Sequence, residues 1–272
     1  MVNSAVLDVA LGLLFCYGSI AVISSSIYEA FASILKLRAR TLLEGVKSLL
    51  NDESFTGLAW NLYNHALVNP RGDGQTPRET QPSTLPSYID SKNFALALID
   101  TIQSADVAAK SLPEKIAAIH DTQIRSLLEA MYARAGGDIA KVEDGLERWF
   151  DDSMDRVSGA YKRMSQLCTF GVGLIVVIAL HIDTFRLVAG LWAHPAWIAD
   201  MSSPNARDVG RALATLQTLP VGWSGAPPLG PATAVGWVVT AVSTLFGAPF
   251  WFDLLQRVTN LRGTGPKPNG QA

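Results

Sequence analysis

The stretch "ERWFDDSMDRVSGAYKRMSQLCTFGVGLIVVIALHID", residues 147–183, is dense with charge in its first half, yet has no Asp, Glu, Lys, Arg or His between Met164 and Leu180. A helix needs about 20 apolar residues to cross the hydrocarbon core of a bilayer. The second half therefore reads as a transmembrane span over 164–182. The first half has a different pattern. Val142, Leu146, Trp149, Phe150, Met154, Val157, Tyr161 and Met164 recur at three- and four-residue spacing and draw one apolar helical stripe. On the opposite face Asp144 precedes Arg148 and Asp152 precedes Arg156, acid first at four residues, an order that supports a helix. Only Gly159 interrupts, at a cost of about 1 kcal/mol relative to Ala. The spacing predicts one helix that starts near Asp138 and runs through the second span.

The rest of the chain agrees with a membrane setting. Of its 272 residues, 49% are hydrophobic and only 17% are charged, where a soluble domain carries about a quarter. The net charge of −2, from 22 basic and 24 acidic residues, excludes general nucleic-acid affinity. Two more stretches are long and apolar enough to span, 6–28 and 232–252. The first has no basic residue before it and no small-residue cleavage site after it, so it reads as a retained anchor.

Basic residues are concentrated on the cytoplasmic side of membrane proteins. Sixteen of the Lys and Arg residues fall in 36–163, none in 1–35 and three in 183–231. The expected organisation is an N-terminal anchor (1–35, N-terminus outside), a helical cytoplasmic domain (36–163), a second span (164–182), an extracytoplasmic segment (183–231), a third span (232–252) and a cytoplasmic tail (253–272). The fold class is an all-α integral membrane protein with three transmembrane helices, its second span continuous with a long amphipathic cytoplasmic helix.

Within 36–163, Thr41–Glu44 and Ser111–Glu114 fit capping boxes, the latter with Pro113 in the first turn. Helices are expected over 41–50, 55–68 and 90–103, and from Ser111 as one helix carrying Ile116, Ile119, Ile124, Leu127, Leu128 and Met131. Gly136-Gly137 suits a left-handed stop, with Asp138 capping the next helix. The Pro/Gly/Ser/Thr-rich stretch 69–87 reads as a flexible linker. Outside, a short helix is expected at 205–217, and Trp192, Trp197 and Trp223 read as interfacial anchors.

Catalytic chemistry has little support. The four histidines and two cysteines have no metal-ligand spacing, and no phosphate-binding glycine signature occurs. No catalytic residue, cofactor site or metal site is expected, and the protein reads as not an enzyme. Asp8 and Glu29 bracket the first span, while His181 and Asp183 close the second, placements that suit the interfaces.

In the third span Ala232, Gly236, Thr240, Thr244 and Ala248 recur every fourth residue. Such a small-residue stripe lets helices approach closely, within the chain or between copies. Pro249 is expected to kink or end that helix. The tail carries Phe250, Trp251, Leu254, Leu255, Val258 and Leu261, an interfacial or packed amphipathic helix.

Three blocks, "EAFASILKLRARTLLEGVKSLL" (29–50), "WFDDSMDRVSGAYKR" (149–163) and "GAPFWFDLLQRVTNLRGTGPKP" (247–268), resemble a group of bacterial membrane proteins that share them around a variable cytoplasmic middle. The resemblance covers about half the chain. It implies a bacterial inner-membrane location and carries over no catalytic residue. The expected role is a scaffold or accessory subunit that holds a protein partner at the cytoplasmic face. Leu146, Trp149, Phe150, Met154, Val157 and Tyr161, with Phe250, Trp251, Leu254 and Leu255, form the candidate contact surface. The alternative is a subunit of an oligomeric channel or transporter. The bilayer and either a protein partner or a homo-oligomer are the expected associations.

Overall fold

The computed structural model describes residues 4–72, 74, 77, 82, 84–105, 111–193, 221–223 and 229–263. The described residues are helical, without a strand. They form α1 (Ser4–Ile34), α2 (Leu37–Leu49), α3 (Leu58–Tyr63), α4 (Ser91–Ser104), α5 (Leu112–Ala117), α6 (Thr122–Arg134), α7 (Ile139–Ala179), α8 (Thr184–Ala193), α9 (Pro231–Ser243), a 3-10 turn at Thr244–Phe246 and α10 (Gly247–Gly263). The chain divides into two compact units, Leu35–Arg163 and Met1–Ile34 with Met164–Ala272. The helix expected at 205–217 and eight of the nineteen residues of the linker 69–87 lie outside the described residues.

The Leu35–Arg163 unit is built on one face of α7. Val142, Leu146 and Phe150 are buried there, against Phe94 and Leu98 of α4, Leu62 and Tyr63 of α3, and Ile124 and Leu128 of α6. Phe94 and Phe150 stack with centroids 4.2 Å apart and planes 23° from parallel. Each fully buried side chain of this size contributes about 1.5–3 kcal/mol, so the stripe is the seam around which the unit closes.

The helix ends follow local chemistry, with three departures from the sequence pattern. Asp90 caps α4 through the N–H groups of Lys92 and Asn93. Gly136 and Gly137 adopt φ values of 63° and 80°, the left-handed stop that a Cβ disfavours. Asp138 accepts from Ala140 N at the start of α7. The Thr41 box, however, is not used: α2 already begins at Leu37, and Thr41 Oγ1 donates back to the Leu37 carbonyl at 2.9 Å. The helix expected over 55–68 forms only at Leu58–Tyr63. The helix expected from Ser111 is two helices, because Asp121 accepts from Ile124 N at 2.7 Å and starts α6 afresh. Asp52 is a further cap that its sequence neighbourhood does not announce. Its buried carboxylate accepts from the N–H groups of Thr56, Gly57, Ala59 and Trp60, closing the loop into α3.

Three helices among the described residues are long and apolar enough to cross a membrane, Val6–Ile34, Ile139–Ala179 and Pro231–Asn260. The other unit holds the first, the third and the Met164–Ala179 part of the second. α1 is the central one. Within the most apolar window of each, 61% of α1 is buried, against 17% of α7 and 28% of the third. Phe15, Cys16, Ile20 and Ile23 of α1 pack with Val177, Ile182, Leu187, Leu191 and Phe252. Exposed apolar side chains cover the outer faces, among them Met164, Leu167 and Ile175 on α7 and Val235, Val238 and Val242 on α9. A water-facing surface of that composition is unfavourable, and a hydrocarbon one is not.

α7 is a single helix of 41 residues. It stops at Ala179, short of the 182 expected, and α8 begins at Thr184 after a four-residue break. The third candidate span is interrupted at the 3-10 turn, and Gly247 takes φ 76° just before Pro249.

Candidate functional site: an apolar groove and a polar break

In the Leu35–Arg163 unit the α7 stripe separates into two sets. Leu146 and Phe150, expected at a contact surface, are buried in the unit's own core and present no surface. Trp149, Met154 and Val157 are half-buried and line a cavity of about 410 Å³, together with Leu49 of α2 and Leu127 of α6. Gln123, Asn51 and Arg156 bring polar groups to its edge. α2 and α7 approach closely at one pair of lining residues. A Cβ on Gly45 would sit 2.9 Å from Val157 Cγ2. Tyr161 is half-buried further along α7.

The remaining contact candidates belong to the other unit. Phe250 is exposed and stacks on Phe246. Trp251 is half-buried, donates from Nε1 to the Ser243 carbonyl at 2.7 Å and lies 5.0 Å from the Tyr17 ring. Leu254 and Leu255 are half-buried. The side chain of Leu261 lies outside the described residues.

The second feature is the break between α7 and α8, which collects polar groups that hydropathy alone does not locate. His181 adopts φ 48° and is fully buried. Asp183 accepts from Phe185 N at 2.8 Å and so starts α8. Thr184 Oγ1 is 3.1 Å from Tyr17 Oη and 2.8 Å from Thr240 Oγ1. Thr240 Oγ1 also lies 2.8 Å from the Gly236 carbonyl and 3.2 Å from that of Ile182. A buried polar group costs free energy unless it is paired, and this hydroxyl chain pairs α1, α8 and α9 at one point.

The break also satisfies the end of α7. Gly222 N donates to the Leu180 carbonyl and Trp223 Nε1 to that of Ala179. Arg186 Nη1 donates to the Gly222 carbonyl at 2.8 Å and lies 3.5 Å from His181 Nδ1. His181 Nε2 and Trp237 Nε1 are buried without a hydrogen-bond partner among the described residues. The imidazole stands edge-on to the rings of Trp223 (4.6 Å) and Trp237 (5.4 Å), a geometry that offers N–H groups an aromatic face.

The small-residue stripe of the third span meets this region. Gly236, Thr240 and Thr244 are buried, Ala248 is half-buried and Ala232 is exposed. Gly236 abuts Asp183, and a Cβ on Gly173 would lie 2.8 Å from Thr244 Oγ1. Ala248 also packs against the core of this unit, so four of the five positions pack within the chain. His181 and Asp183, expected at the end of the second span, are buried within the chain. Tyr17, Thr184, Trp223 and Trp237 were not singled out as a group by the sequence pattern. The available signal was the Asp183-Thr184 pair, a helix-starting dipeptide at the end of an apolar run.

Among the described residues, no three His, Cys, Asp or Glu side chains are grouped as metal ligands. Cys16 and Cys168 are free thiols. Comparison with protein-family models, with curated proteins and with solved structures finds no match to this chain.

Proposed function

We propose that this chain is a membrane-anchored scaffold or accessory subunit, which holds a protein partner at the cytoplasmic face of a bacterial inner membrane. The observation that carries the reading is the half-buried apolar groove of Leu49, Leu127, Trp149, Met154 and Val157, an arrangement suited to the apolar face of a partner helix. The sixteen basic residues in 36–163 support a cytoplasmic position for this unit, the N-terminus outside and the C-terminus inside. The bacterial inner membrane rests on the resemblance of the three sequence blocks. The reading assigns no reaction to the chain.

The test is photo-crosslinking from the groove in native membranes, with the crosslinker at Met154. A single partner joined in near-stoichiometric yield, and lost when Trp149→Ser is added to a folded chain, is the expected result. Diffuse or absent adducts would sink the reading.

A second reading, a subunit of an oligomeric channel or transporter, is favoured by one observation. One of the three candidate spans, Pro231–Asn260, is interrupted by a 3-10 turn beside the buried polar side chains of Thr240, Ser243 and Thr244. Broken helices of this kind recur where transporters bind their substrates. Flux through vesicles holding the purified chain, abolished by Gly236→Leu, would favour it, and tight vesicles would count against it.

A further inference from the structure

The chain passes between its two units at Ile34–Leu35 and at Arg163–Met164. Each crossing is marked by exposed cations, Arg38 and Arg40 at the first, Lys162 and Arg163 at the second. Neither is neutralised by nearby sequence: no Asp or Glu occurs in 30–43 or in 156–182.

The fold brings the two pairs to one end of the Leu35–Arg163 unit. Gly45 of α2 abuts Val157 of α7. Ser48 and Leu49, later in α2, share a cavity wall with Ser153 and Trp149, earlier in α7. The two helices therefore run antiparallel. Arg38 lies seven residues before Gly45 and Arg163 six residues after Val157, displacements of about 10 Å in the same direction. Leu35, at the start of this unit, is apolar and 46% exposed.

The other basic cluster of this unit is different. Arg134, Lys141 and Arg148 border a cleft of about 420 Å³ that also holds Asp144, and Lys141 is 3.6 Å from Asp138. Asp138 and Asp144 offset two of its three charges, and it is not next to a chain segment entering a span.

We propose that Arg38, Arg40, Lys162 and Arg163 form a headgroup site for an anionic phospholipid of the cytoplasmic leaflet. The cations meet the phosphate, and Leu35 of the same unit offers an exposed apolar side chain beside them. Juxtamembrane cations attract anionic lipid in this way over distances of a Debye length. The inference rests on the membrane reading above and adds to it a ligand class and four residues.

The test uses the full chain purified in mild detergent, where membrane orientation no longer contributes. Phosphatidylglycerol and phosphatidylcholine of matched acyl chains are offered together, and retained lipid is measured by native mass spectrometry. The wild type should retain phosphatidylglycerol over phosphatidylcholine by about tenfold, less at high salt. Arg38→Gln, Arg40→Gln, Lys162→Gln and Arg163→Gln combined should bring retention to parity. Arg134→Gln, Lys141→Gln and Arg148→Gln combined should leave it unchanged. The double variants Arg38→Gln/Arg40→Gln and Lys162→Gln/Arg163→Gln should each lose part of the preference, which keeps the test readable if the fourfold variant does not fold.

Equal retention of both lipids by the wild type, or an undiminished preference in the fourfold variant, overturns the proposal. So does full competition by soluble glycerol phosphate, which would make the site one for a free phosphate. Recovery of the chain from the soluble fraction without detergent is a distinct outcome, which removes the membrane reading itself.

Discussion

Gly236 and Asp183 occupy adjoining space so closely that a side chain at position 236 has no room. A Cβ there would lie 2.6 Å from Asp183 Cγ and closer still to its Oδ1. The carboxylate is fixed, because it starts α8 through Phe185 N. The glycine is therefore required by the cap on the neighbouring helix, and the small-residue stripe of α9 has a local structural purpose.

Gly236→Ala is expected to lower stability by about 1–3 kcal/mol, the usual cost of overpacking. Asp183→Ala alone should cost about 1 kcal/mol through the lost cap. Because one side chain makes the clash with the other, the two changes should not add, and Gly236→Ala should cost less in the Asp183→Ala background. Thermal melting of the four proteins in detergent completes the cycle. Strict additivity would show that the contact is not what constrains position 236.

Neighbouring residues of α7 should respond differently to truncation. Phe150 is buried and stacked on Phe94, whereas Trp149 is half-buried on the groove wall. Phe150→Ala should cost about 3–5 kcal/mol, as for a large side chain removed from a packed core. Trp149→Ala should cost clearly less and act on partner crosslinking instead. Denaturant unfolding of the full chain followed by far-UV circular dichroism would measure both, and equal losses would contradict the division of the stripe.

Tyr63 offers the opposite case. Its ring is fully buried against Phe55, and its hydroxyl has no hydrogen-bond partner among the described residues. Burial pushes its ionisation well above the ordinary tyrosine value, and the nearby Glu44 charge adds to this. An unpaired buried hydroxyl carries a desolvation cost of about 1–3 kcal/mol. Tyr63→Phe removes that cost at constant shape, so the variant should melt at the same temperature or higher. A clear drop in melting temperature would mean that the hydroxyl is paired.

The parts of this fold that were legible in sequence are those set by chain-local periodicity. The stripe from Val142 to Met164 foretold a continuous α7, and the uncharged runs foretold three helices able to span. What the stripe packs against was not legible, because Phe94 comes from α4 across the linker. The break at 180–183 was hidden for another reason. His181 and Asp183 at the end of an apolar run read as a span terminus, and only the tertiary partners Tyr17, Thr240 and Trp223 show how the break that holds them is packed. Thr41 and Asp121 show how caps mislead. Thr41 has the spacing of a box but sits inside a helix begun at Leu37, while Asp121 splits an apolar run whose spacing suggested continuity.

Asp121 gives a pH prediction with a definite sign. Its carboxylate accepts from Ile124 N at 2.7 Å, which is the main reason that its ionisation falls below the ordinary 3.8. Asn51 Nδ2, 3.3 Å from the carboxylate, and the charge of Arg125 act in the same direction. Since the folded form holds the proton more weakly than the unfolded one, the unfolded chain binds more protons around and below this value. The contribution to stability is therefore complete above 3.8 and is lost as pH falls through the lower folded value. Asp121→Ala should be less stable than wild type at neutral pH, with the gap closing as the solution is taken below 3.8. The helix start should soften with it, seen as faster amide exchange at Ile124 and Arg125. Urea midpoints of the two proteins across the acid range decide the matter: a gap that stays constant would mean that Asp121 caps α6 without regard to its charge.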